Sequence, residues 1–265
     1  MKKEDIKKIL ELIIHNKENI KKSLPILKKG KKEIKKGVFV GKNVVIEPNV
    51  FFDTSEGEIV IGDSTKIKAN TVLRGPLILG KNCVINSFAE ISESQIGDVC
   101  KVGGEVEKCI IQNYSNKQHY GFLGHSYVGS WVNIGAGTSV SNLKNTYSQI
   151  KVGGIDTGSI FVGCILGDYC KTAINTIIFC GKIIGPSSHL YGTVTEDIPA
   201  FTSYVSIGNM YELPLELAKR IQKVMMQRRN VNWSEQDDDF FKKLFRDTAK
   251  DRKLAKVKKE KLSFR

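Results

Sequence analysis

Apolar residues return every six positions through the middle of this chain. From Val40 the register runs to Ile46 and Phe52. It restarts at Ile61 and passes through Ile67, Leu73, Leu79, Ile85 and Ile91. After a slip of one come Ile96-Gly97 and Val102-Gly103. Val128-Gly129, Ile134-Gly135 and Val140 continue it, and Leu166-Gly167, Thr172, Ile178, Ile184-Gly185 and Leu190 close it. A helix repeats at 3.6 and a half-buried strand at 2, so neither explains a period of six. A parallel β-helix does. Each hexad holds a short strand and a turn, and three hexads close one triangular coil. The apolar residue points inward, where it stacks on its counterpart in the next coil. The small residue beside it permits a tight corner. The alternative, a β-sandwich of many short strands, gives no reason for a constant six.

Interruptions of the period mark excursions from the prism. Asp53–Glu58 reads as a small loop, Glu105–Phe122 as a first break rich in polar residues, and Asn142–Val162 as a second. Insertions in a solenoid gather on one face and often build the binding site. Outside the repeat the pattern is helical. Ile6, Ile9, Leu10 and Ile13 form one stripe over residues 5–16. Leu213–Arg229 reads as a helix with Pro214 in its first turn. A second helix starts at Ser234, where Asp237 stands in the position of a capping-box acid. The organisation is therefore a helical segment at 1–36, a β-helix at 37–207 and a helical segment at 208–265, with the helices covering the open ends of the coil stack or packing across it.

Charge follows the same division. The net charge of +13 resides in the ends: residues 1–37 and 214–265 each carry +8, while 38–213 carry −3. No aromatic-interleaved platform accompanies these lysines, so they read as solvated helix surface, and nucleic acid is not expected as a partner. No apolar run approaches the ~20 residues of a membrane span, and Glu11 interrupts the best secretion-signal candidate. The six cysteines (83, 100, 109, 164, 170 and 180) show no CxxC pairing. They read as reduced thiols in small core positions of a cytoplasmic protein, and no metal site is expected.

Four histidines are present: 15, 119, 125 and 189. His15 reads as helix surface and His189 as a late corner. His119 lies in the polar stretch just before the repeat resumes, and an imidazole near its ordinary pKa can take a proton from an amine or hydroxyl at neutral pH. Around it runs a pattern: His119, then Phe122-Leu123-Gly124, then Val132-Asn133-Ile134-Gly135-Ala136-Gly137-Thr138, then Asn142. In order and spacing it resembles the acetyltransferase half of the bifunctional N-acetylglucosamine-1-phosphate uridylyltransferase family, with a downstream stretch like that of related sugar-1-phosphate nucleotidylyltransferases. The likeness covers roughly 38–205. Nothing resembles that family's Gly-rich nucleotide loop, so the nucleotidylyltransferase half is absent from this sequence.

The resemblance implies a left-handed parallel β-helix, mainly β, with N- and C-terminal α-helices, assembled as a homotrimer. It implies an acetyl-CoA-dependent acyltransferase acting on an amino sugar or sugar phosphate. His119 would be the general base, Phe122, Asn133, Asn142 and Lys151 would contact the substrate, and Ala136, Ala173 and Lys171 would contact the co-substrate. The chain departs from the family pattern at four places. Phe122 replaces a Tyr, Glu107 replaces a Lys, His125 replaces an acid, and Leu143 replaces a Tyr after the corner Asn. Glu107 would repel a phosphate. Those departures sustain a second reading: a non-catalytic trimeric β-helix that scaffolds or regulates a separate sugar nucleotidylyltransferase.

Overall fold

In the computed structural model, which describes residues 2–260 and 262, the hexads build a parallel β-solenoid of about nine turns. Each coil contributes one short strand to each of three faces. The first face stacks strands from Val38–Val40 to Ile183–Ile184. The second runs from Val45–Ile46 to Asn209–Glu212, continuous through parallel bridges at Asn133. The third runs from Phe51–Asp53 to Thr193–Val194. The residues of the six-residue register turn inward. Ile61, Ile67, Leu73, Ile85, Ile91, Ile178, Ile184 and Leu190 are all fully buried in one continuous core. Five of the six cysteines are buried and all six are free thiols.

The corners are built from left-handed backbone. Between the first and second faces, Ser64, Asn82, Val99, Tyr114, Trp131, Tyr169, Ser187 and Phe201 all have positive φ. Such angles are uncommon outside glycine. Here one falls in nearly every coil at the same rung, because a tight three-sided turn requires it.

The expected break at 105–122 is not an excursion. Glu105–Glu107, Ile110–Ile111, Asn116–Lys117 and Phe122–Gly124 are in-register strands. Two features hide the period there. The coil is short, with Gln95 pairing fifteen residues on with Ile110, whereas the coil directly beneath spans seventeen, Ile78 to Gln95, and the next eighteen, Ile59 to Leu77. In addition, the inward position is filled by Lys117, which is only 3% exposed. Residues 142–162 do leave the prism, and they carry a surface hairpin, Lys151–Val152 against Ile155–Asp156.

The helices lie along the flanks. Helix α1 (Lys3–Ile14) and α2 (Asn16–Leu27) meet at His15, which is exposed. Ile6, Leu10 and Ile13 of α1 pack on Ile150, Val152, Val162, Ile165 and Ile183. Ile20 and Leu24 of α2 pack on Val60, with Phe39 and Ile78 alongside. Together they cover the first face. Helix α3 (Leu215–Gln227), α4 (Glu235–Asp247) and α5 (Ala249–Leu254) follow the coil stack. Met225 and Met226 of α3 rest on Trp131, which stacks on Tyr114 at 4.2 Å. Ser234 and Asp237 form the expected capping box. The ends of the stack are closed by hairpins. One is Lys32–Lys35 with Val38–Val40. The other is Thr202–Ser206 with Asn209–Glu212, which straddles residues 207 and 208. Among the described residues no helix packs on the third face.

Candidate functional site

The structure divides the candidate site residues among four places. His119 lies at the corner between the second and third faces, exposed to solvent. Its rung is fixed by the strands on either side: Asn116 bridges to Asn133 and Asn133 to Lys171. By the same register, Ala136 stands above His119 and Ala173 above Gly135 along one edge. The Asn175 amide donates to the Ala136 carbonyl at 2.7 Å, which ties the next coil to that corner. The His119 imidazole makes no hydrogen bond among the described residues, but its carbonyl is held. Lys117 Nζ, inside the coil, donates to the carbonyls of His119 at 3.0 Å and Gly103 at 2.8 Å. Burial pushes the Lys117 ammonium down to about 8. Gly104, at φ +67°, makes room for it, because a Cβ there would come within 2.9 Å of that nitrogen.

Phe122 and Asn142 meet on the third face. A Cβ on Gly124 would strike both the Phe122 ring and the Asn142 amide, so glycine at 124 is what lets the two side chains close over the strand. Asn142 Nδ2 lies 2.9 Å from His125 Nδ1, and the His125 ring stacks on Phe161 of the second excursion at 5.4 Å. Burial, followed by the Lys108 charge, pushes His125 down to about 4. It is therefore a neutral imidazole at physiological pH. His125 was legible in the sequence only as a departure from an acid, and its pairing with Asn142 depends on the coil register. One rung below, Glu105 and Glu107 pair with Phe122 and Gly124. The third face is thus acidic beside the Phe122–Asn142 contact.

Asn133 and Lys171 point elsewhere. They line a cavity of about 240 Å³ on the second face, under α3, with Asn116, Arg228 and Arg229. His189 lies in a strand rather than at a corner, paired with Lys171, and burial with the Lys171 charge pushes it down to about 4. Lys151 sits on the surface hairpin, where it ion-pairs with Asp156 at 3.2 Å. Its partner is a carboxylate of its own hairpin. Among the described residues no cluster of three or more His, Cys, Asp or Glu could hold a metal ion, and no helix is long and apolar enough to cross a membrane.

Comparison with known proteins agrees with the repeat. Residues 58–93 match the family model described as bacterial transferase hexapeptide (six repeats). The bifunctional protein GlmU of Nostoc sp. is 30% identical over 162 residues, covering 60% of this chain and 29% of the relative. GlmU of Carboxydothermus hydrogenoformans is 31% identical over 186 residues, covering 61% and 37%. The chain thus spans about a third of the length of the curated relatives it matches. Among solved structures, the Francisella novicida UDP-N-acetylglucosamine acyltransferase superposes with a TM-score of 0.49 at 15% identity, covering 84% of this chain and 86% of that one. By repeat and strand pairing the chain is a parallel β-solenoid with a hexapeptide-repeat segment, and its central part is similar to one portion of the bifunctional GlmU proteins.

Proposed function

We propose that the chain is an acyltransferase that moves an acetyl group from acetyl-CoA to the amine of a sugar, at the edge and surface of its third face. One observation carries the reading. The chain's own helices cover the first face and part of the second, while His119 and Phe122 of one coil and Asn142 of the next lie on the side left bare. A second copy seated against that side would complete a groove, and closed cyclic symmetry would give a homotrimer with such a groove at each junction.

In that groove His119 takes a proton from the acceptor nitrogen as it attacks the thioester carbonyl. A C–N bond forms, the C–S bond breaks, and the proton passes to the departing thiolate. The backbone at Ala136 and Ala173 lines the same edge and suits the acyl chain. Phe122 offers a ring for the sugar to stack on, and Asn142 offers an amide to its hydroxyls. Glu105 and Glu107 favour an amine-bearing sugar without a phosphate at this face, since their charges repel one. The same two carboxylates, together with a His119 ring that no hydrogen bond among the described residues orients, support the second reading of a scaffold for a separate nucleotidylyltransferase.

Thiol release from acetyl-CoA, measured over a panel of hexosamines, hexosamine 1-phosphates and nucleotide-linked amino sugars, tests the reading. Turnover that falls by about 10²–10⁴-fold in His119→Ala supports it. Because His119 is exposed, this variant is expected to fold. Absence of turnover with every acceptor, together with absence of acetyl-CoA binding, selects the scaffold.

A further inference from the structure

The cavity beneath α3 has a chemistry that the third face lacks. Asn116, Asn133 and Lys171 reach it from three successive coils, and Arg228 and Arg229 come from the C-terminal end of α3. Ile221, Val224 and Met225 form an apolar wall. Arg229 Nη2 donates to Asn116 Oδ1 at 2.8 Å, and Asn116 Nδ2 donates to Asn133 Oδ1 at 3.3 Å. Among the described residues, Lys171 Nζ donates to the Tyr169 carbonyl alone, at 3.0 Å. Arg229 Nε is buried and has no hydrogen-bond partner among the described residues.

Lys101 stands nearby on the same face. Burial and the charges of Arg229, Arg228 and Lys68 hold its pKa below the ordinary lysine value. Among the described residues, none of Lys101, Lys171, Arg228 and Arg229 forms an ion pair. Elsewhere the molecule pairs its cations readily, as Lys219 does with Glu216 and Asp238, or Arg252 with Glu212. Lys101, Lys171 and Arg229 are partly buried while Arg228 is exposed, and partly desolvated cations with no carboxylate are unfavourable unless an anion joins them. An arginine fork beside a lysine suits a phosphate, which accepts several charge-assisted bonds at once.

We propose that this cavity is a phosphate site: Lys171, Arg228 and Arg229 hold a phosphate monoester or diphosphate, Asn133 steadies it, and the apolar remainder of the ligand lies along Ile221, Val224 and Met225. The site stands apart from the acyl-transfer reading, because it requires only binding. Two kinds of small molecule carry such a group, a nucleotide-based acyl donor and a nucleotide-linked sugar.

The chain holds its own probe. Trp131 and Trp233, its two tryptophans, both lie in the cluster around Met225 and Met226. Intrinsic fluorescence of the full chain is titrated with inorganic pyrophosphate, adenosine 3′,5′-bisphosphate, a uridine diphosphate sugar and citrate. A saturable change with pyrophosphate is expected, weakened about tenfold or more by Lys171→Met and by Arg229→Gln. Lys243→Gln, the same charge change on the exposed side of α4, is expected to shift it by less than about twofold. Lys171→Met leaves the Arg229–Asn116 bond in place, so the test survives if Arg229→Gln fails to fold. Tighter binding of the bisphosphate identifies the donor as the source of the phosphate, and tighter binding of the diphosphate sugar identifies the acceptor; either supports the site. No response to pyrophosphate overturns the proposal. So does equal binding of citrate, or an equal loss in Lys243→Gln. Each readout is independent of turnover, so a chain with no acyltransferase activity can still pass.

Discussion

Lys117 occupies the inward position that holds Ile67, Ile85 and Val102 in the coils beneath it. In the folded chain its ammonium is pushed down to about 8 from an ordinary value of 10.5. Between those values the unfolded chain binds the extra proton, so this residue adds stability as pH rises through the window. Three of the buried thiols work the other way. Cys109, Cys164 and Cys170 are pushed up to about 12 and weaken the fold above their unfolded pKa near 9. The contribution of Lys117 is therefore isolated by comparing wild type with Lys117→Met in denaturant melts. The wild type is expected to gain on the variant from pH 8 to pH 10, and a constant difference would show that the ammonium is not buried. On the acid side, His125 and His189 are both held down to about 4. The unfolded chain takes up their protons first, so stability falls as pH drops from about 6.5 to 4. His189→Gln is expected to flatten part of that slope, read as urea midpoints across the range. Most inward residues were legible because an apolar side chain every six positions has one physical explanation. Lys117 was not, because a lysine in a polar stretch looks like surface until the shortened turn at Gly103 and Gly104 brings two carbonyls within its reach.

At the scale of elements, the helices were legible and their docking was not. A stripe such as Ile6, Leu10 and Ile13 says that a face is buried but carries no address for what it meets. The address comes from the second excursion, whose Ile150, Val152 and Val162 build the seat for α1. Leu10→Ala is expected to cost about 2–5 kcal/mol in chemical denaturation, since the residue is 3% exposed and the rigid solenoid beneath it can relax little. The capping box at Ser234 was readable from four residues, because a cap is a local device. Ser234→Ala is expected to lower stability by about 1 kcal/mol, and a calorimetric scan checks it. The candidate site was half legible for the same reason. Asn133 stands in the middle of a recognisable motif, but the register turns it toward α3 and away from Phe122 and Asn142.

For the whole molecule, the unclad third side sets the expectations. Phe51, Ile177 and Phe179 are about half exposed on it, and Phe88, Tyr120 and Ile174 stand exposed along its edge. Apolar surface of that extent on the side that the helices leave uncovered marks an interface. Light scattering of the wild type is expected to give three copies, and Phe179→Glu is expected to give a folded single chain with little acyl transfer. A wild type that is monomeric at micromolar concentration would sink the shared groove. A different consequence follows from the path of the N-terminal helices. Neighbouring coils touch only one another, so a bare stack drawn out from its two ends would peel away ring by ring under low tension. Here α2 grips the rings around Val60 and Ile78, Asn16 donates to the carbonyls of Glu93 and Cys109, and α1 grips those around Ile165 and Ile183. The first residues of the chain thus run as a strap up the side of the rod. A pull applied to the N-terminus loads α1 in shear before any ring can open, and in a tweezers experiment the molecule is expected to give one high rupture where a chain beginning at residue 30 gives a ladder of small ones.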